Sequence, residues 1–140
     1  MGDDYRHFVD SLAAAAVLPG GPHPFAWLAG DWLWQGEPVH FELTPYGVSR
    51  FGVPYLIYNA PADMWCLVHT RPEAYGMLIG TVPSGGGARF TGELTLDDAP
   101  VLLRQTWQTI RDGKVQVDTE RRSGAAWELW DRGLLERVTL

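Results

Sequence analysis

The chain has one cysteine, Cys66, and one lysine, Lys114, among its 140 residues. A single cysteine excludes an intramolecular disulfide, leaves any zinc site to be assembled from histidine and carboxylate alone, and fits a reducing compartment. The other ten basic residues are arginines, spread singly except for Arg121 and Arg122, so the sequence has neither a basic stripe nor a polybasic membrane signal. With 17 acidic residues against 11 basic ones the net charge is −6, which argues against nucleic acid as a partner. No apolar run is long enough to cross a membrane as a helix. The apolar stretch from Leu12 to Leu18 follows acidic residues rather than a positive segment, so no secretory signal is expected. These absences point to a cytoplasmic protein with no membrane partner.

The common catalytic signatures are also missing, and no catalytic residue is nominated. His7, His23, His40 and His69 are widely separated and none belongs to a His-Glu-x-x-His pattern, so no local metal site is encoded. Gly47-Val48-Ser49-Arg50-Phe51-Gly52 misses the Gly-x-Ser-x-Gly nucleophile elbow by one residue and lies among strand-like segments. Pro83 to Gly87 lacks the lysine and hydroxyl of a phosphate-cradling loop and reads as a flexible hairpin tip.

What is present is a globular composition, 46% hydrophobic, with seven Trp, five Tyr and five Phe, and 16 glycines and 10 prolines that punctuate the chain with turns. The length suits one domain with one core. Residues 1–24 read as a helical arm. Phe8, Val9, Leu12, Ala15 and Ala16 recur near a helical period, predicting a helix over residues 4–17 that Pro19-Gly20-Gly21-Pro22 stops. Residues 24–29 can form one more turn. From Asp31 onward, segments rich in Val, Ile, Thr, Trp, Tyr and Phe alternate with turn signals, the last of them at Ser123-Gly124 and Arg132-Gly133, and predict about ten strands. Asp112-Gly113 joins 101–110 to 114–122 as a hairpin. Short connections force antiparallel neighbours, and closure into an up-and-down barrel removes the exposed edges, so a mainly β barrel over residues 25–140 is expected.

One stretch carries a resemblance. Leu28-Ala29-Gly30-Asp31-Trp32, followed by Gly36 and later by Arg104-Gln105-Thr106-Trp107, Glu120 to Gly124, Trp127 and Leu135-Glu136-Arg137, resembles small bacterial lipocalin-like (calycin) barrels allied to the nitrobindin and fatty-acid-binding-protein groups. The resemblance covers residues 25–140. It implies that Trp32 plugs one end of the barrel and that Arg137, on the closing strand, lies over its ring. Stacking of a guanidinium on a desolvated indole makes that pairing favourable.

Alternation along the strands nominates interior residues. Trp34 shares a face with Trp32. In the late hairpin, Leu103, Gln105, Trp107 and Thr109 face Val115, Val117, Thr119 and Arg121, leaving Gln105, Trp107 and Arg121 as candidate pocket residues. In residues 63–70 either face can be inside. Trp65, Leu67 and His69 are chosen because an aromatic ring and an imidazole are of more use in a cavity than Met64, Cys66 and Val68. Tyr55, Ile57 and Met77 complete the candidates, and for these, as for Trp107, hydrophobic core is the first reading and pocket lining the second. Arg104 and Arg121 either point inward toward an anionic ligand or pair outside with Glu120 or Glu128.

The expected function is binding of a small hydrophobic or amphipathic molecule inside the barrel, with no cofactor. An enzyme acting on a hydrophobic substrate is an alternative, with His69, Glu120 and Asp118 the first residues to inspect. Haem binding of the nitrobindin type is another, but the resemblance places its histidine on a late strand and no histidine follows His69. His69, His40, Cys66 or a tyrosine would have to substitute. A filled barrel acting as a homodimer is the last, with the helix capping the barrel mouth or meeting another subunit.

Overall fold

Two-residue turns set the path of this chain. A computed structural model describes residues 4–7, 25–59, 63–81, 87–111 and 113–138. A short 3-10 turn, Ala26–Leu28, leads into β1 (Gly30–Trp34), β2 (Glu37–Thr44), β3 (Gly47–Arg50), β4 (Val53–Asn59) and β5 (Met64–Arg71). There follow β6 (Ala74–Thr81), β7 (Ala88–Leu96), β8 (Ala99–Arg111), β9 (Lys114–Ser123) and β10 (Ala126–Arg137). Between β1 and β2, β3 and β4, and β7 and β8, the turns Gln35-Gly36, Phe51-Gly52 and Asp97-Asp98 carry positive φ at both residues. A tight two-residue hairpin needs that backbone to match the twist of its strands.

Each strand pairs antiparallel with its sequence neighbour, and β1 closes on β10 through Trp32↔Arg137, Leu33↔Glu136 and Trp34↔Leu135. The result is a closed ten-stranded up-and-down β-barrel. The hairpin over the late strands is present as β8–β9, with Gly113 at φ +76 in its turn. Asp112 and the 82–86 stretch lie outside the described residues.

Three strands carry one residue more than their partner. Tyr55 is the extra residue between Val48↔Leu56 and Ser49↔Pro54, Ile110 between Thr109↔Val115 and Arg111↔Lys114, and Trp130 between Leu129↔Glu120 and Asp131↔Thr119. Such bulges re-aim side chains without ending the strand.

The turns divide the barrel into two poles. At one pole the 3-10 turn drives Phe25 and Leu28, both fully buried, into the barrel beside Trp32. Phe25 meets Trp65 edge to face at 4.8 Å, and Trp27 meets Trp32 at 6.2 Å. The Trp32 indole donates to the Leu28 carbonyl at 2.9 Å. Arg137 lies 4.4 Å over the Trp32 ring and donates to the carbonyls of Ala29, at 3.1 Å, and Trp27. This pole is sealed. Above it Leu56, Leu67, Leu78, Phe90, Leu94 and Leu103 form a continuous core, each fully buried side chain contributing about 1.5–3 kcal/mol.

The structure corrects the sequence at one turn. Arg132-Gly133 is no turn, because β10 runs unbroken from Ala126 to Arg137. Gly133 is buried within the strand because the Trp34 indole lies across it, where any Cβ would collide with the ring. Of the amino-terminal helix, residues 4–7 are helical and the remainder lies outside the described residues. Within the described part, the Tyr5 hydroxyl donates to the Thr70 carbonyl at 2.6 Å and its ring meets Tyr75 edge to face. No helix among the described residues is long and apolar enough to cross a membrane.

Candidate functional site

Opposite the sealed pole the barrel opens into a cavity of about 720 Å³. Its walls follow from strand alternation. On β8, Leu103, Gln105 and Trp107 point inward, and on β9 Val117 and Thr119 do so. The polar members of this face satisfy one another: the Trp107 indole donates to Gln105 Oε1 at 2.7 Å, and the Gln105 amide donates to Thr119 Oγ1 at 3.2 Å. The chain of bonds locks the orientation of the Trp107 ring, because a buried donor left unmatched is costly. Across the lumen the bulge in β4 turns Tyr55 inward, where it lies between Phe41 at 5.3 Å and Trp107 at 6.2 Å, nearly parallel to the latter. Burial pushes the Tyr55 phenol up to about 12, against the opposing pull of Arg50, whose guanidinium sits 5.0 Å over the ring.

His69 on β5 also lines the cavity. Burial, with the positive charges of Arg50 and then Arg71, lowers it to about 4, so its imidazole is neutral at pH 7. Its Nδ1 is buried and has no hydrogen-bond partner among the described residues. Arg50 and Arg71 line the cavity mouth, as do the exposed aromatics Phe51 and Trp130.

Of the residues nominated from the sequence, Trp34, Tyr55, His69, Gln105 and Trp107 are brought together around this cavity. Four are not. Ile57 stands opposite Cys66, and alternation sets it facing away from the lumen that its neighbour Leu56 fills. Met77 likewise alternates with Leu78, which takes the lumen position. Trp65 is inside the barrel but below the cavity, held in the sealed pole by Phe25 and Tyr58. Arg121 lies two residues beyond Thr119, the last residue of β9 on the cavity wall, and is exposed at the rim. Trp32 and Arg137 belong to the sealed pole and touch no part of the cavity.

The acids that were first to be inspected lie outside the barrel. Arg104 holds Glu120 through two bonds, at 2.9 and 3.0 Å, and stacks 4.5 Å over Trp127. Arg132 holds Asp118 at 2.8 Å. Each arginine's hydrogen bond keeps its partner carboxyl below the usual range. Arg104 therefore takes the outward, paired arrangement. On the outer face of β1 and β2, His40 bridges Asp31 at 2.7 Å and Glu42 at 3.2 Å.

Several cavity residues escaped the sequence reading. Val39 and Phe41 alternate with polar residues along β2 and were legible from that pattern. Arg50, Arg71 and Trp130 were not, because a residue beside a turn or in a bulge carries no alternation signal. Compared with known proteins, the chain matches no family model and no curated sequence.

Proposed function

We propose that this chain is a lipocalin-like binding protein that holds a small hydrophobic or amphipathic molecule in its barrel lumen. The observation that carries this reading is the cavity of about 720 Å³, lined mostly by apolar side chains, with Phe25, Leu28 and Trp32 filling the opposite pole among the described residues. Drug-sized molecules occupy clefts of roughly 300–1,000 Å³ lined in this way. The aromatic residues do not fill it. Trp27, Trp32 and Trp65 gather toward the sealed pole, Trp127 stacks on arginines outside and Trp130 stands exposed at the rim, which leaves Trp34 and Trp107 on the cavity wall. A barrel acting only through its outer surface has no need of so large a lumen.

Native mass spectrometry of freshly purified protein tests the reading, with the denatured mass as reference. The expected result is an excess mass of one small organic molecule that is lost on denaturation. A bare mass, together with no uptake of an apolar fluorescent probe on titration, would reject the proposal. An excess matching haem would replace it with iron chemistry.

A further inference from the structure

We propose that the cavity takes an organic acid, its carboxylate seated at the mouth by Arg50 and Arg71 and its apolar body lying against the aromatic wall below. The inference rests on the reading of the lumen as a binding site and adds the chemistry of the head group.

The first ground is the placement of charge. Among the described residues, Arg104 and Arg132 are paired with carboxylates outside the barrel and Arg137 is spent on backbone carbonyls at the sealed pole. Arg50 and Arg71 line the cavity, and neither pairs with a carboxylate among the described residues. Guanidinium groups at the rim of an apolar cavity favour an anion over a neutral group, because they offer a carboxylate charge-assisted, forked hydrogen bonds that a neutral group cannot match.

The second ground is His69. It lines the same cavity as both arginines, and burial first, then the charges of Arg50 and Arg71, keep its imidazole neutral. With Nδ1 sealed in the wall and unmatched, the imidazole proton belongs on Nε2, since a buried donor without a partner costs more than an acceptor left bare. Since His69 lines the lumen, Nε2–H is the donor it can offer there, a further hydrogen bond for an anion without a further charge.

The third ground is the division of the rim. Glu37 on β2 and Asp131 on β10 flank β1, whereas Arg50 and Arg71 stand on β3 and β5. A carboxylate is repelled from the first arc and drawn to the second. Arg50 lies over Tyr55, and Tyr55 lies over Trp107, so a path of aromatic surface descends from the basic arc into the lumen. The body below the head is accordingly apolar.

The test uses two probes with the same body, 1-pyrenebutyrate and 1-pyrenebutanol, whose fluorescence reports transfer from water. The wild type is expected to bind the acid at least tenfold more tightly than the alcohol. The double variant Arg50→Gln/Arg71→Gln is expected to lose that preference, weakening the acid tenfold or more and the alcohol by far less. Both arginines are exposed and outside the core, so circular dichroism of the variant should match the wild type. Equal binding of acid and alcohol, unaffected by the double substitution, would overturn the head-group assignment and leave the lumen as a site for neutral molecules. Failure of both probes to bind would overturn the reading of the lumen itself, and the assignment with it.

Discussion

His69 shows how one side chain can hold the acid limit of a fold. Its folded pKa of about 4 lies below the ordinary value of 6.5, so between those values the unfolded chain takes up a proton that the folded chain refuses. Stability from this group is therefore complete above pH 6.5, falls as the pH drops toward 4, and is level below that. The shift corresponds to about 3 kcal/mol across the window. His40 acts in the opposite sense, because its hydrogen bond to Asp31, opposed by burial and aided by Glu42, raises its pKa. The informative quantity is thus the difference between wild type and His69→Gln in urea unfolding at pH 7 and pH 4. Wild type should lose more stability than the variant over that interval, and parallel losses would show that His69 is not held neutral. Tyr55, raised to about 12, keeps its phenol proton throughout this range and takes no part in the change.

At the scale of the strand, Gly133 and Trp34 form one device. The indole can approach β10 this closely only because residue 133 has no side chain, and a Cβ there would collide with the far edge of the ring. Gly133→Val should push Trp34 off the wall and into the lumen, lowering the affinity for 1-pyrenebutanol several-fold. Adding Trp34→Ala should restore much of it, since the two changes act on the same contact. An unaltered affinity in Gly133→Val would mean that the ring escapes elsewhere. The same strand marks the limit of what the sequence revealed. Alternation placed Gln105, Trp107, Val117 and Thr119 on the inner face of β8 and β9 because those segments are regular and half polar. It misled at Gly133, where a glycine demanded by a neighbouring ring has the same spelling as a turn. In β5, where four consecutive residues from Trp65 to Val68 are buried, two buried faces erase the pattern, and only an argument from usefulness selected His69. Tyr55 and Trp130 owe their directions to bulges, which depend on the pairing of two strands and are not written in either one alone.

Across the whole molecule the wall is uneven. β8, β9 and β10 have 13, 10 and 12 residues, whereas β3 has four and is followed by the irregular pairing at Tyr55. Short strands hold fewer ladder bonds and open at lower free energy. Hydrogen exchange should therefore be fastest for the amides that pair β3 with β2 and β4 and slowest for those between β8 and β9. Uniform protection around the barrel would contradict this. The sealed pole has another consequence, which concerns order in time. With Phe25, Leu28, Trp32 and Arg137 closing one end among the described residues, a guest of the kind proposed would enter and leave by the other. Whatever part of it went in first would come out last, and a guest longer than the lumen is wide could not turn around inside, so its orientation would be decided at the threshold and kept until release.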